Sequence, residues 1–297
     1  MRVLIAALLL AGTCLLQDTP RFSDPFIGKL EARLERLQGA AAEREIFVNV
    51  TVRVADLREE LGAAYSPTIG GIHTEDGILL SSEFLNGLYG EIRSSAPHAG
   101  SDEVMEIAAS QFLPLLAHEL RHQIDTKKVG ISSFGYKESE LSARTVETAV
   151  ISEARDLFAE DFKYETSLTR SQSQLVGLWQ NEGPNGLRAF DQNTVAANYP
   201  SLSRGDDLLG LSQHIPQARR LKRLLHDHGS RAPPKNEAIA KMTRGALTTR
   251  REANRFIQQG EEIDSLLKRL GDVQWYYQER ERQAWRAWQD ENPNQTL

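Results

Sequence analysis

The apolar and polar positions of this chain change period along its length, and the change separates a short extended region from several long helical ones. Ile46-Phe47-Val48-Asn49-Val50-Thr51-Val52-Arg53-Val54 alternates with a period of two and is rich in β-branched residues, which predicts a half-buried strand. Gly71-Ile72-His73-Thr74 and Gly77-Ile78-Leu79-Leu80 read as two further extended stretches joined by a Glu75-Asp76-Gly77 turn. Elsewhere the period is helical. Phe26, Ile27, Leu30, Leu34 and Leu37 form one stripe of a helix that starts at Pro25 and ends near Gly39. The run Phe112-Leu113-Pro114-Leu115-Leu116-Ala117, continued by Leu120 and Ile124, predicts a helix over about residues 113 to 127, with Pro114 at its start or at a kink. A shorter helix before it is expected to begin at an N-cap near Ser101, where Asp102 and Glu103 suit the positive end of the dipole. A third helical pattern starts at Tyr136 and continues through Val146, Ala149, Val150 and Ala154. The expected fold class is therefore α+β, mostly α.

One pentapeptide on the predicted helix of residues 113 to 127 carries chemistry. His118-Glu119-Leu120-Arg121-His122 places two imidazoles at i and i+4, on one helix face, with a carboxylate beside them. Two such histidines can bind one zinc ion, and the glutamate can act as general base on a water at that ion. A zinc hydrolase usually has three protein ligands and keeps a fourth position for water. The candidates for the third ligand lie on the helix that begins near Tyr136, at Glu138, Glu140 and Glu147.

With that helix the chain resembles the zincin metallopeptidases, and among them the gluzincins, whose third ligand is a glutamate on a second helix. The resemblance covers roughly residues 46 to 154. It rests on His118, Glu119 and His122 and on the Glu140-x-x-Ala143 step, with seventeen residues between His122 and Glu140, close to the spacing of that group. It implies a small antiparallel or mixed sheet before the metal helix, whose edge strand pairs with extended substrate. It further implies zinc bound by His118, His122 and Glu140, Glu119 as catalytic base, and a peptide or protein substrate. The order of strand, hairpin, helix, metal helix and ligand helix is the same here. Glu138 projects from another side of the ligand helix and Glu147 lies on the Glu140 face two turns on, so both stay open as alternatives. The chain departs from the group's pattern at Arg144, where an aspartate partner for a ligand histidine is expected. Asp125, three residues after His122, is a second candidate for that partner, set against a solvated residue near a helix end.

The remaining features bound the picture. Val3 to Leu10 is almost wholly apolar, follows a single arginine and precedes Ala11, Gly12 and Thr13, the pattern of a secretory signal over residues 1–17, so export is expected. The apolar run is shorter than the roughly 20 residues of a membrane span. Cys14 is the only cysteine, which excludes an intramolecular disulfide and cysteine ligands; it is also the one candidate for a lipid anchor, with a discarded leader as the simpler account. A net charge of −6 and the lack of a basic stripe argue against nucleic acid as a partner. Turn residues in Asn181-Glu182-Gly183-Pro184-Asn185-Gly186 divide a zincin-like region, 18–180, from a C-terminal region, 181–297, in which residues 236 to 290 read as a long helical hairpin. Trp275, Tyr276, Tyr277, Trp285 and Trp288 cluster near its end, as packing between helices or as a surface for a protein partner. His226 and His228 read as a helix C-terminus. His73, His98, His214, Tyr136 and Tyr164 are each candidates to stabilise an oxyanion, and the sequence does not select among them. The rival expectations are an exported helical adaptor, a degenerate zincin that keeps its metal for structure, and a zinc amidase acting on a cell-envelope component.

Overall fold

The computed structural model describes residues 24–62, 65–74, 77–129, 137–198 and 263–295. Numbered among these residues, the elements are α1 (Pro25–Leu34), α2 (Ala41–Phe47), β1 (Thr51–Ala55), α3 (Leu57–Leu61), β2 (Gly71–Thr74), β3 (Gly77–Ser81), α4 (Ser82–Ser95), α5 (Ser101–Val129), α6 (Lys137–Leu157), α7 (Ala159–Phe162), α8 (Ser167–Glu182), α9 (Pro184–Asn198) and α10 (Ile263–Glu291). This is a mostly helical α+β arrangement with one small mixed sheet.

The sheet has the order β1-β3-β2, with β1 parallel and β2 antiparallel to β3. All five residues of β3 are buried, as expected of a central strand that carries apolar side chains on both faces. Gly77 starts it with φ +147° opposite Thr51, where a Cβ would stand 2.0 Å from the Thr51 carbonyl oxygen. Only glycine allows the two backbones to approach so closely. The expected strand at residues 46 to 54 is thus shorter than its pattern. Ile46 and Phe47 end α2, Asn49 closes a turn by donating from its backbone N to Ile46 O and from its side chain to Glu45 O, and pairing starts at Thr51. Phe47 is buried in the main core from a helix, so the alternation at its position reflects core contact and not a pleat.

The helix that bears the pentapeptide is also longer than expected. One helix of 29 residues runs from Ser101 to Val129, and Pro114 lies within it. An interior proline costs about 3 kcal/mol through its missing hydrogen bond and the clash with the preceding turn. Burial outweighs that cost here: Ala108, Ala109, Phe112, Leu113, Leu116, Ala117 and Leu120 are all fully inaccessible to solvent. At roughly 1.5–3 kcal/mol for each large apolar side chain, this part of α5 is held by its surroundings. Around it pack Phe26, Ile27 and Leu30 of α1, Ile78 and Leu80 of β3, Ile92 of α4 and Val150 and Ala154 of α6. Leu37, just past α1, completes the stripe expected from Pro25 onward.

The loop expected at residues 181 to 186 is a single-residue joint. α8 ends at Glu182, Gly183 takes φ +60°, and α9 starts at Pro184. A Cβ on Gly183 would come within 2.9 Å of the Trp288 ring, so α10 packs against the joint. A second apolar cluster joins Leu141 and Ile151 of α6, Leu175 and Trp179 of α8, Leu187 of α9 and Ala284 and Trp288 of α10. Trp288, Trp285 and Tyr277 are therefore packing residues, whereas Trp275 is 63% exposed. The first arm of the expected C-terminal hairpin, the leader with Cys14, and His214, His226 and His228 lie outside the described residues. Among the described residues, no helix is long and apolar enough to cross a membrane.

Candidate metal centre

α5 and α6 lie side by side and bring the expected ligands together. His118, Glu119 and His122 are buried on α5, and Glu140 faces them from the first turn of α6. His118 Nε2 and His122 Nε2 are 3.0 Å apart, and the Glu140 carboxylate reaches them at 3.5 and 3.3 Å. Four ligands placed tetrahedrally at zinc–nitrogen distances of 2.0–2.1 Å stand roughly 3.3 Å from one another. The three observed separations bracket that value, with Glu140 Oε2 facing His118 and Oε1 facing His122, and all three groups bind a proton or a cation. His118, His122 and Glu140 therefore fit a zinc ion. Glu138, the neighbouring alternative, is not among the residues whose ligand atoms converge.

The outward nitrogen of His122 has a hydrogen-bond partner, and that of His118, which makes no hydrogen bond, lies within ion-pair distance of a carboxylate. Ser139 Oγ lies 2.9 Å from His122 Nδ1, and Glu147 Oε2 lies 3.1 Å from His118 Nδ1. Glu147, an alternative third ligand on the sequence, thus stands behind a ligand. A carboxylate in that place fixes which nitrogen carries the proton and which way the ring faces. Asp125 does not take this part, and it is not solvated at a helix end. It is fully buried, and its Oδ1 accepts from Tyr276 OH of α10 at 2.8 Å.

Glu119 lies against β2, where a Cβ on Gly71 would be 3.4 Å from Glu119 Cγ. Burial raises its carboxyl above the usual range, against the pull of His118 and His122. His73 of β2 also enters the centre: its ring stacks on that of His122 with centroids 4.9 Å apart, and its Nδ1 is 4.0 Å from Glu119 Oε2. His73, Glu119 and His122 each bring one ligand atom within 4.8 Å of the other two. Burial, with His122 next to it, pushes the His73 imidazole down to about 3, so it is neutral there. β2 is held in place by Gln123 of α5, whose Nε2 donates to Thr74 O at 2.5 Å and to Gly77 O at 2.9 Å. Of the other oxyanion candidates, Tyr164 packs against the main core, His98 is exposed, and Tyr136 and His214 fall outside the described residues.

The charges around the ligands are mostly negative. Burial and the Arg144 cation work against a proton on His118, but Glu140 and Glu147 outweigh them and raise it to about 9. Burial works against the Glu140 charge as well, yet the two imidazoles hold that carboxyl well below its ordinary range. Burial, reinforced by Glu140, lifts Asp191 of α9 to about 7. Asp191 had no signal in sequence, and His73 was one of five oxyanion candidates, with nothing local to tie it to the pentapeptide.

No family model, no curated protein and no solved structure matches the chain. The site is therefore interpreted from its own geometry.

Proposed function

We propose that this chain is a zincin-like, zinc-dependent hydrolase of the glutamate-liganded type, and that its substrates are peptides or proteins. His118, His122 and Glu140 hold the ion, and Glu119 is the general base. The observation that carries the reading is the convergence of two Nε2 atoms and a carboxylate at 3.0–3.5 Å, with both Nδ1 atoms turned to Ser139 and Glu147. A zinc ion there would lower the pKa of water toward neutrality and polarise a carbonyl. Glu119 takes the proton from water and passes it to the leaving amine, and its buried, raised carboxyl suits a group that must both accept and release a proton. Ser139 and Glu147 orient the two imidazoles. The apolar leader-like pattern of residues 1–17 supports reading the chain as an exported enzyme.

The test is cleavage of a peptide library by the purified protein with zinc, beside Glu119→Gln. The variant is expected to keep its metal and lose the cleavage. Full cleavage by Glu119→Gln would remove Glu119 from the mechanism, and cleavage of amide-bearing envelope fragments in place of peptides would change the substrate class.

A further inference from the structure

Arg144 stands one turn after Glu140, where the resemblance leads one to expect a carboxylate. The structure gives the residue other company. Its Nη1 donates to Glu147 Oε2 at 2.6 Å, the same oxygen that lies 3.1 Å from His118 Nδ1. Its second arm, Nη2, is 3.9 Å from Asp191 Oδ1 of α9, and its guanidinium carbon sits 5.4 Å from the centroid of the Phe190 ring, also on α9. Arg144, Glu147 and Asp191 are all largely buried. A planar guanidinium can engage two carboxylates at fixed angles, which an ammonium cannot do.

We infer that Arg144, anchored to α9 by Asp191 and Phe190, is a positioning residue that holds Glu147 against His118 Nδ1 and so aims His118 Nε2 at the metal. The inference rests on the metal reading above. In place of one aspartate, the chain uses a relay of three residues on two helices, and α9 becomes part of the support of the centre. Removing a partner behind a ligand typically costs 10–100-fold in metal affinity.

Charge and position predict opposite signs here, which makes the role testable. Arg144 is a cation near the ligands, so electrostatics alone makes Arg144→Gln bind zinc more tightly. The positioning role makes it bind more weakly. Zinc affinity is measured on the full chain by competition with a chromophoric chelator, with the visible spectrum of the cobalt-substituted protein as a second readout of ligand geometry. Arg144→Gln is expected to lose about ten- to a hundredfold in affinity and to shift the cobalt bands. Should it not fold, Arg144→Lys, which keeps the charge and loses the fork, and Asp191→Asn, which loosens the anchor, are expected to weaken binding in the same direction by less. Thermal melts of the metal-free proteins separate a general loss of fold from a loss confined to the metal. Wild-type affinity and an unchanged cobalt spectrum in Arg144→Lys and Asp191→Asn, or tighter binding in Arg144→Gln, would overturn the inference and leave the metal reading standing. A wild type that takes up no zinc or cobalt overturns both.

Discussion

Two buried polar clusters bridge the same pair of helices, and they are built on opposite logic. On one side of α5 and α6, Arg121 pairs with Glu43 of α2, Tyr276 donates to Asp125, and Arg280 Nε donates to Ser142 Oγ at 3.1 Å. Opposite charges meet each other there, and Tyr276 and Arg280 donate to acceptors. On the other side, two imidazole Nε2 atoms and a carboxylate converge on one point. The first cluster pairs its charges internally, although Glu43 Oε1, Arg121 Nε and Asp125 Oδ2 make no hydrogen bond, and it ties α10 and α2 to α5 and α6. The second is balanced only by a proton or a cation placed at its centre. Buried polar groups generally come with their partners, so a cluster of converging acceptors is the one that points to a ligand. The comparison also separates Asp125 from Glu147: both are buried carboxylates within reach of the centre in sequence, but only Glu147 turns toward a histidine.

The sharpest way to break the contrast is chemical. Glu119→Gln should lower the turnover of any cleaved substrate by about 10²–10⁴-fold, while metal content stays that of the wild type. Metal analysis of the same preparation checks the second half. Next comes pH. The His118 imidazole is held at about 9 by Glu140 and Glu147 against its burial and Arg144, so a proton would compete with the proposed ion. Apparent zinc affinity should fall about tenfold for each unit below that value, measured by chelator competition between pH 9 and 7. In the metal-free protein the same proton stabilises the fold. That contribution is full below the ordinary histidine value of 6.5 and is lost as pH rises through about 9, so the metal-free melting temperature should drop over that window.

The first cluster is expected to respond differently. Asp125→Ala leaves the Tyr276 hydroxyl without its acceptor and should cost about 1–3 kcal/mol in denaturant unfolding, with zinc content unchanged. Loss of zinc in this variant at a temperature where it stays folded would erase the distinction between the clusters. The smallest effect is expected for Tyr276→Phe, which removes one hydrogen bond to Asp125 and should cost about 0.5–1.5 kcal/mol, with neither turnover nor metal affinity altered.

Features set by local periodicity were legible in sequence. The stripe from Phe26 to Leu37, the β2–β3 hairpin and the shared face of His118 and His122 all follow from periods of 3.6 and 2 read over a few turns, while Glu140 opposite them was expected from the resemblance. What was hidden depended on distant packing. Pro114 looked like a helix start because an isolated helix would break there, and only the core around Phe112 and Leu116 carries the helix through it. Ile46 and Phe47 carry an alternating pattern that the core satisfies from a helix end. His73 and Asp191 reach the centre on β2 and α9, brought there by Gln123 and by Arg144, and neither interaction has a sequence spacing that announces it.

Metal content is the measurement that meets the central claim head on. Purified protein supplied with zinc, dialysed and analysed by mass spectrometry should hold about one zinc per chain, and His122→Ala and Glu140→Ala, which each remove one of the three converging ligands, should hold little or none. A folded wild type that retains no metal under those conditions, or a Glu140→Ala variant that binds zinc as tightly as the wild type, would contradict the account.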